Sequence, residues 1–184
     1  MLTDQYKGAL SAGAALGLLA LQFGTIAFAG DDLAVRIVLP ATLGAVPLAL
    51  WVYRSRIGVW VIFIGLAANL AATLANGGLM PIERSKVVEA VGAERAATYE
   101  TGAWMRGSKD AVVPDGGGRL LALGDSIIVR VGGGGMVVSP GDLVVWSGLI
   151  ILAAEASLAW QRRAREADAP QREGERAAEG GATT

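Results

Sequence analysis

Three carboxylates are the reactive groups that the sequence sets apart. Asp125 follows Leu123-Gly124, Asp142 closes Ser139-Pro140-Gly141-Asp142, and Glu155 is the only charge between Asp142 and Gln161. The 184 residues include no histidine and no cysteine. Disulfides, thiol nucleophiles, imidazole-held metals and Ser-His or Cys-His pairs are therefore excluded, and no metal centre or cofactor is expected. Two aspartates brought together at an interface form an acid/base pair in which one carboxyl keeps its proton. On that reading Asp125 and Asp142 are the candidate catalytic residues, and a hard cation is another ligand for the same oxygens. Capping competes for Asp142, which suits the N-cap of the helix that follows it, and Asp32 has the same look before an earlier helix. Glu155 is the candidate intramembrane acid, a functional signal by default. It stands close enough to a membrane surface to snorkel there, or to pair with Arg54, Arg56 or Arg162, instead.

A second group is made of amides. Asn69, Thr73 and Asn76 share one face of a helix, with Gly65 one turn earlier. Inside a bilayer such groups need partners, so the face serves hydrogen bonding between helices or a polar pocket. Gln22 has the milder version of the same need. The helix runs into Asn76-Gly77-Gly78-Leu79-Met80-Pro81, where Asn and Gly end a helix through left-handed backbone and Met80-Pro81 turns the chain along the surface.

The elements that position these residues follow from the charges. Only 18% of residues are charged, below the roughly 25% of soluble domains, and mean hydropathy is +0.46. Four stretches, Gly8–Ala29, Leu33–Val52, Ile57–Ala75 and Leu143–Trp160, are almost free of charge. Each is long enough to cross a hydrocarbon core about 30 Å thick. The fold class expected is an all-α membrane protein of four transmembrane helices, with a small mixed extramembrane segment between helices three and four. A cleaved signal peptide is the rival reading of the first stretch, with Ala27-Phe28-Ala29 as the cleavage site. Lys7, Arg54, Arg56, Arg162, Arg163 and Arg165 fall on one side, so both termini are expected in the cytoplasm of a multi-pass cell-membrane protein.

The domains read as 1–76 for three spans, 77–141 for the outer segment, 142–160 for the last span and 161–184 for a disordered tail. The outer segment holds seven basic and seven acidic residues. It predicts a helix over Ser85–Val91 stopped by Gly92, a continuation or second short helix over Glu94–Glu100, and, from the runs Leu120–Leu123, Ile127–Val131 and Met136–Val138 with Gly132–Gly135 between the last two, a short hairpin or extended strands. Pro40 and Pro47 predict a kink in the second span. Gly13, Gly17 and Gly24 predict close packing of the first span within the chain, or against a second copy. Nucleic acid is not an expected partner, because the charges nearly cancel. The bilayer is one, and a membrane protein, itself or another, is the second.

The run Gly58-Val59-Trp60, Gly65, Asn69, Asn76-Gly77-Gly78-Leu79-Met80-Pro81, then Leu123-Gly124-Asp125, then Ser139-Pro140-Gly141-Asp142 resembles a family of small bacterial integral membrane proteins catalogued as a domain of unknown function. The resemblance covers about Ile57 to Gly148. It implies a membrane location and one motif unit made of Asn76, Gly77, Gly78, Pro81, Asp125 and Asp142 over the helix ends. Family members often place Ile-Pro after the Leu-x-Asp motif, where this chain has Ser126-Ile127-Ile128-Val129. The resemblance supplies no activity. Three functions stay open. The leading one is a non-enzymatic scaffold, accessory subunit or envelope component. The others are a small transporter or channel subunit, and an interfacial hydrolase using the aspartate pair.

Overall fold

The computed structural model describes residues 4–131 and 134–181, with side chains placed for 6–130 and 135–166. It is mostly helical. Helices α1 (Asp4–Phe28), α2 (Asp32–Leu50), α3 (Ile57–Ala75) and α6 (Pro140–Gly181) carry four segments long and apolar enough to cross a bilayer: Tyr6–Phe28, Asp32–Tyr53, Ile57–Ala75 and Pro140–Glu166. Between α3 and α6 the chain forms a cap. Its elements are β1 (Met80–Glu83), α4 (Arg84–Val91), α5 (Ala93–Ala96), β2 (Asp110–Val113), β3 (Ile127–Val131) and β4 (Gly134–Val138).

The helices line up as an open arc. α1 packs on α2, α2 on α3 and α3 on α6, while α1 and α6 scarcely touch. The tightest seam is α3 against α6, which run antiparallel. Gly58 and Gly65 on α3 face Gly148 and Gly141 on α6. Within each helix the two glycines are seven residues apart, about two turns, so both look the same way. A Cβ on Gly65 would stand 2.6 Å from the Gly141 carbonyl oxygen, and one on Gly58 would stand 2.6 Å from the Leu152 nitrogen. The helices meet backbone to backbone, the approach that small residues permit.

The glycines expected to pack α1 do not. A Cβ on Gly13, Gly17 or Gly24 meets nothing within 4 Å. α1 is instead held by polar contacts: Thr42 Oγ1 donates to Gln22 Oε1 at 2.8 Å, Tyr53 donates its hydroxyl to the Gly8 carbonyl at 2.6 Å, and Ser11 donates to the Ala49 carbonyl. α2 runs as one helix through Pro40 and Pro47. Its N-cap is Asp31, which accepts from the Leu33 N–H at 3.1 Å. Asp32, expected as the cap, sits in the first turn and pairs with Arg36 at 2.7 Å, one turn along. At the α2–α3 turn, Trp51 stacks on Phe63 and Trp60 meets both rings edge-on, with centroids 5.6–6.3 Å apart, and the Arg54 guanidinium lies 5.7 Å over the Trp51 ring.

In the cap, β1 and β2 pair in parallel with Met80 opposite Asp110, and α4 and α5 lie in the connection between them. Met80-Pro81 is thus strand, not a surface turn. It enters the sheet because Leu79, Met80 and Ile82 are all buried. The hairpin forms as expected, Ile127 opposite Val138 and Val131 opposite Gly134. Gly132 and Gly133 lie outside the described residues. Leu121–Leu123 is a turn of 3-10 helix. The helical path of α6 continues to Gly181, through a segment expected to be disordered. Its Ala, Glu, Arg and Gln residues are strong helix formers. Residues 182–184 lie outside the described residues.

Candidate functional site

The site lies where α3 ends, α6 begins and the cap sits on both. Ser139 is the N-cap of α6, Pro140 takes the first helical position that proline favours, and Asp142 stands three residues in. Ser139 Oγ accepts from the Asp142 N–H at 3.0 Å, and the Asp142 carboxylate accepts from the Ser139 N–H at 3.2 Å. This is a reciprocal capping box. Asp142 therefore supports the cap from inside the helix and is not the N-cap residue itself.

Asn69 ties that box to α3. Its Nδ2 donates to Asp142 Oδ1 at 2.7 Å, and its Oδ1 accepts from Ser139 Oγ at 2.9 Å. Gly141 leaves the room, because a Cβ there would collide with the Asn69 side chain. Thr73 is fully buried, with no partner for its hydroxyl among the described residues. Asn76, further along the same face, serves the cap: its Nδ2 donates to the Arg119 carbonyl at 2.7 Å, and its Oδ1 accepts from the Arg119 N–H at 2.9 Å. Gly77 and Gly78 adopt positive φ of 69° and 92°, which glycine tolerates. Arg36 donates to the Gly77 carbonyl at 2.8 Å.

β1 then carries the chain past the helix ends and sets the register. Met80 N–H donates to the Lys109 carbonyl at 3.0 Å, and Asp125 N–H donates to the Pro81 carbonyl at 3.0 Å. Gly124 passes so close that a Cβ would stand 2.6 Å from the Pro81 oxygen. These contacts bring Asp125, Asp110 and Lys109 to the capping box. Lys109 Nζ lies 2.8 Å from Asp142 Oδ2 and 3.1 Å from Asp125 Oδ1. The two aspartates singled out from sequence are brought together, but through Lys109, which the sequence reading missed. It also missed Asp110, whose Oδ2 accepts from Ser108 Oγ.

The electrostatics follow from burial. The Asp125 side chain is 1% exposed. Desolvation, then the neighbouring Asp110, push its carboxyl up to about 8. Desolvation likewise raises Asp110, against the pull of Lys109. Burial on its own would lower the Lys109 ammonium, but Asp125, Asp110 and Asp142 outweigh it and hold it above its ordinary value. Asp110 Oδ1 and both Asp125 oxygens lack a donor in good geometry among the described residues. Burial thus favours the neutral form of both carboxyls.

This arrangement has a measurable pH dependence. Unfolded, Asp125 titrates near 3.8. Between that value and about 8 the folded state binds more protons, so its contribution to stability is whole below pH 3.8 and is lost as pH rises to about 8. The thermal midpoint of the cap is expected to fall between about pH 5 and about pH 8, with a slope of at most about 1.4 kcal/mol per pH unit. Asp125→Asn flattens that slope. A midpoint that rises over the same range contradicts the raised Asp125 carboxyl.

Glu155 is elsewhere. Its carboxylate accepts from the N–H groups of Ile57 at 3.0 Å and Gly58 at 3.3 Å. It caps the N-terminus of α3 from a neighbouring helix and, among the described residues, forms no salt bridge with Arg54, Arg56 or Arg162. Glu155→Ala is expected to cost about 1–2 kcal/mol, read as a lowered unfolding midpoint, with Glu155→Gln recovering part of it.

What the site can do chemically is narrow. The Asp125 side chain is buried. Asp142 is engaged by Asn69, Ser139 and Lys109. The described residues contain no cluster of three metal-ligating side chains. No curated protein and no solved structure matches the chain. A family model matches residues 14–154, taking in most of α1, all of α2 and α3, the cap and the first third of α6. The chain belongs to that family, the family of unknown function DUF5317.

Proposed function

We propose that the chain is a non-enzymatic membrane protein, a scaffold or accessory subunit of the cell envelope that presents its cap at the outer surface. The observation that carries this reading is the use made of its carboxylates. Asp142 closes a capping box, Asp125 is buried against Lys109, and Glu155 caps α3. Each acid that sequence reasoning offered for catalysis or proton coupling has a structural task. The Lys7, Arg54, Arg56, Arg162, Arg163 and Arg165 charges at the opposite end support cytoplasmic termini. The uncovered glycines of α1 offer a face for another membrane helix, a second copy or a different protein.

Competitive growth under detergent stress tests this. Cells carrying Asp125→Asn or Asp142→Asn are grown against wild-type and deletion cells, with the folding of each variant checked by its thermal midpoint. Asparagine still caps a helix, so folded variants are expected to match wild type. A folded variant that behaves like the deletion overturns the reading in favour of the aspartate-pair hydrolase.

A further inference from the structure

Successive side chains along extended backbone face opposite ways. Where the chain enters β2, Lys109 turns to Asp125 and Asp142. Asp110, the next residue, lines a cavity of about 210 Å³ within the cap. Ile82, Val87, Met105 and Val137 give it apolar walls, and the half-exposed Met136 stands at its mouth. Its polar groups are few and all of one kind. Asp110 is 6% exposed, and its Oδ1 has no hydrogen-bond partner among the described residues. Ser108 gives its hydroxyl proton to Asp110 Oδ2, so its Oγ still accepts. The last turn of α4 brings Ala90 and Val91, whose carbonyls accept no bond among the described residues, and a helix C-terminus carries partial negative charge. The cations of α4 are engaged elsewhere: Lys86 pairs with Glu89 at 3.6 Å, and Arg84 donates to the Tyr99 carbonyl. Among the described residues no ion pair reaches Asp110.

We propose that this cavity binds a primary alkylammonium, the shared chemistry of a short free amine and the end of a lysine side chain. The Asp110 oxygen, the Ser108 hydroxyl and the carbonyls ending α4 match the three N–H donors of an ammonium, and the apolar walls take its methylene chain. Other cations fit less well. A guanidinium fork wants both oxygens of a carboxylate, and Asp110 Oδ2 is already taken by Ser108. A quaternary ammonium is recognised by aromatic faces, and no ring lines the cavity among the described residues. A hard metal ion takes about 6–8 oxygen ligands, and the described residues hold no cluster of three metal-ligating side chains. The charged neighbours of Asp110 are Lys109, Asp125 and Asp142, one cation among three carboxyls. Burial raises the Asp110 carboxyl, so an entering ammonium replaces its proton, which leaves to solvent. The ammonium then supplies the counter-charge that Lys109 gives to Asp125 and Asp142. The inference is independent of whether the chain is a scaffold.

The test titrates n-butylammonium chloride calorimetrically into the full chain in nanodiscs, with empty nanodiscs as the blank. Saturable heat above the blank is expected, with binding about tenfold tighter than that of n-butanol, n-butylguanidinium or butyltrimethylammonium. Asp110→Asn, which keeps the shape and removes the charge, is expected to weaken binding about tenfold or more. Met136→Trp, which fills the mouth at a half-exposed strand position, is expected to do the same with an unchanged thermal midpoint. Nα-acetyl-lysine amide separates the two sources. Binding equal to that of n-butylammonium assigns the site to a lysine side chain, and binding about tenfold weaker assigns it to a free amine. Heat no greater than the blank overturns the proposal. So does n-butanol binding as tightly as the amine, and so does a folded Asp110→Asn or Met136→Trp variant that binds like wild type.

Discussion

Gly65→Val is expected to abolish the folded bundle, while Gly13→Val leaves it intact. Both substitutions place a branched side chain on a membrane helix at a glycine. At Gly65 the first new carbon alone would stand 2.6 Å from the Gly141 carbonyl oxygen and 2.8 Å from the Val145 nitrogen. Those are backbone atoms of α6 and cannot rotate away. Relief requires the helices to separate, which breaks the Asn69 bonds to Ser139 and Asp142. Overpacking a core typically costs 1–3 kcal/mol, and a rigid backbone contact that also strands a buried amide is expected at about 4 kcal/mol or above. At Gly13 the same carbon meets nothing within 4 Å. The measurement is the fraction of each variant that stays monodisperse in detergent, together with its thermal midpoint. Equal midpoints for the two variants contradict the glycine seam.

Lys109→Met is expected to be the most damaging single change in the cap, at about 3–5 kcal/mol. The methionine keeps most of the stem but removes the one cation that, among the described residues, reaches Asp125 and Asp142. Three carboxyl groups are then crowded at the helix ends without a counter-charge. Stranding a buried charge is costlier than never having built the pair, so Lys109→Met with Asp125→Asn is expected to recover a large part of the loss. The single variant is also expected to be worse at about pH 8 than at about pH 5, because the orphaned acids stay neutral only while protons are plentiful. Trp104, whose Nε1–H donates to the Ser108 carbonyl at 2.7 Å, is a fluorescent reporter beside the lysine. Strictly additive losses in the double variant refute a direct Lys109–Asp125 coupling.

The spans were legible in the sequence because a bilayer demands long uncharged stretches, and few other structures do. The helix over Ser85–Val91 and the hairpin were legible for a similar reason: Gly92 stops the first, and apolar pairs frame the second. Lys109 and Asp110 were hidden because they stand in a segment with fourteen charges. Only the pairing of β1 with β2 makes these two charges special, and parallel pairing is a long-range contact with no local signal. Pro81 argued against a strand there, yet a proline is tolerated at a sheet position that gives up its donor. The glycine seam was legible in principle. Gly58 with Gly65 and Gly141 with Gly148 repeat the same spacing on two apolar stretches, a stronger signal than the glycines of α1, which drew attention through their shorter period. Glu155 was read as a partner for arginines because charge invites charge, whereas the free N–H groups at the start of α3 offered it two donors.

The order of synthesis gives the seam a further meaning. α3 emerges and enters the membrane well before α6, since the entire cap is made between them. Until Ser139 and Asp142 arrive, the Asn69 amide and the groove side of Gly58 and Gly65 have no partner from α6. The seam with α3 and the Lys109–Asp142 pair therefore both wait on the start of α6. A product that stops short of Ser139 carries an exposed amide in a lipid-facing helix, the kind of flaw by which membrane quality control tells an unfinished chain from a finished one.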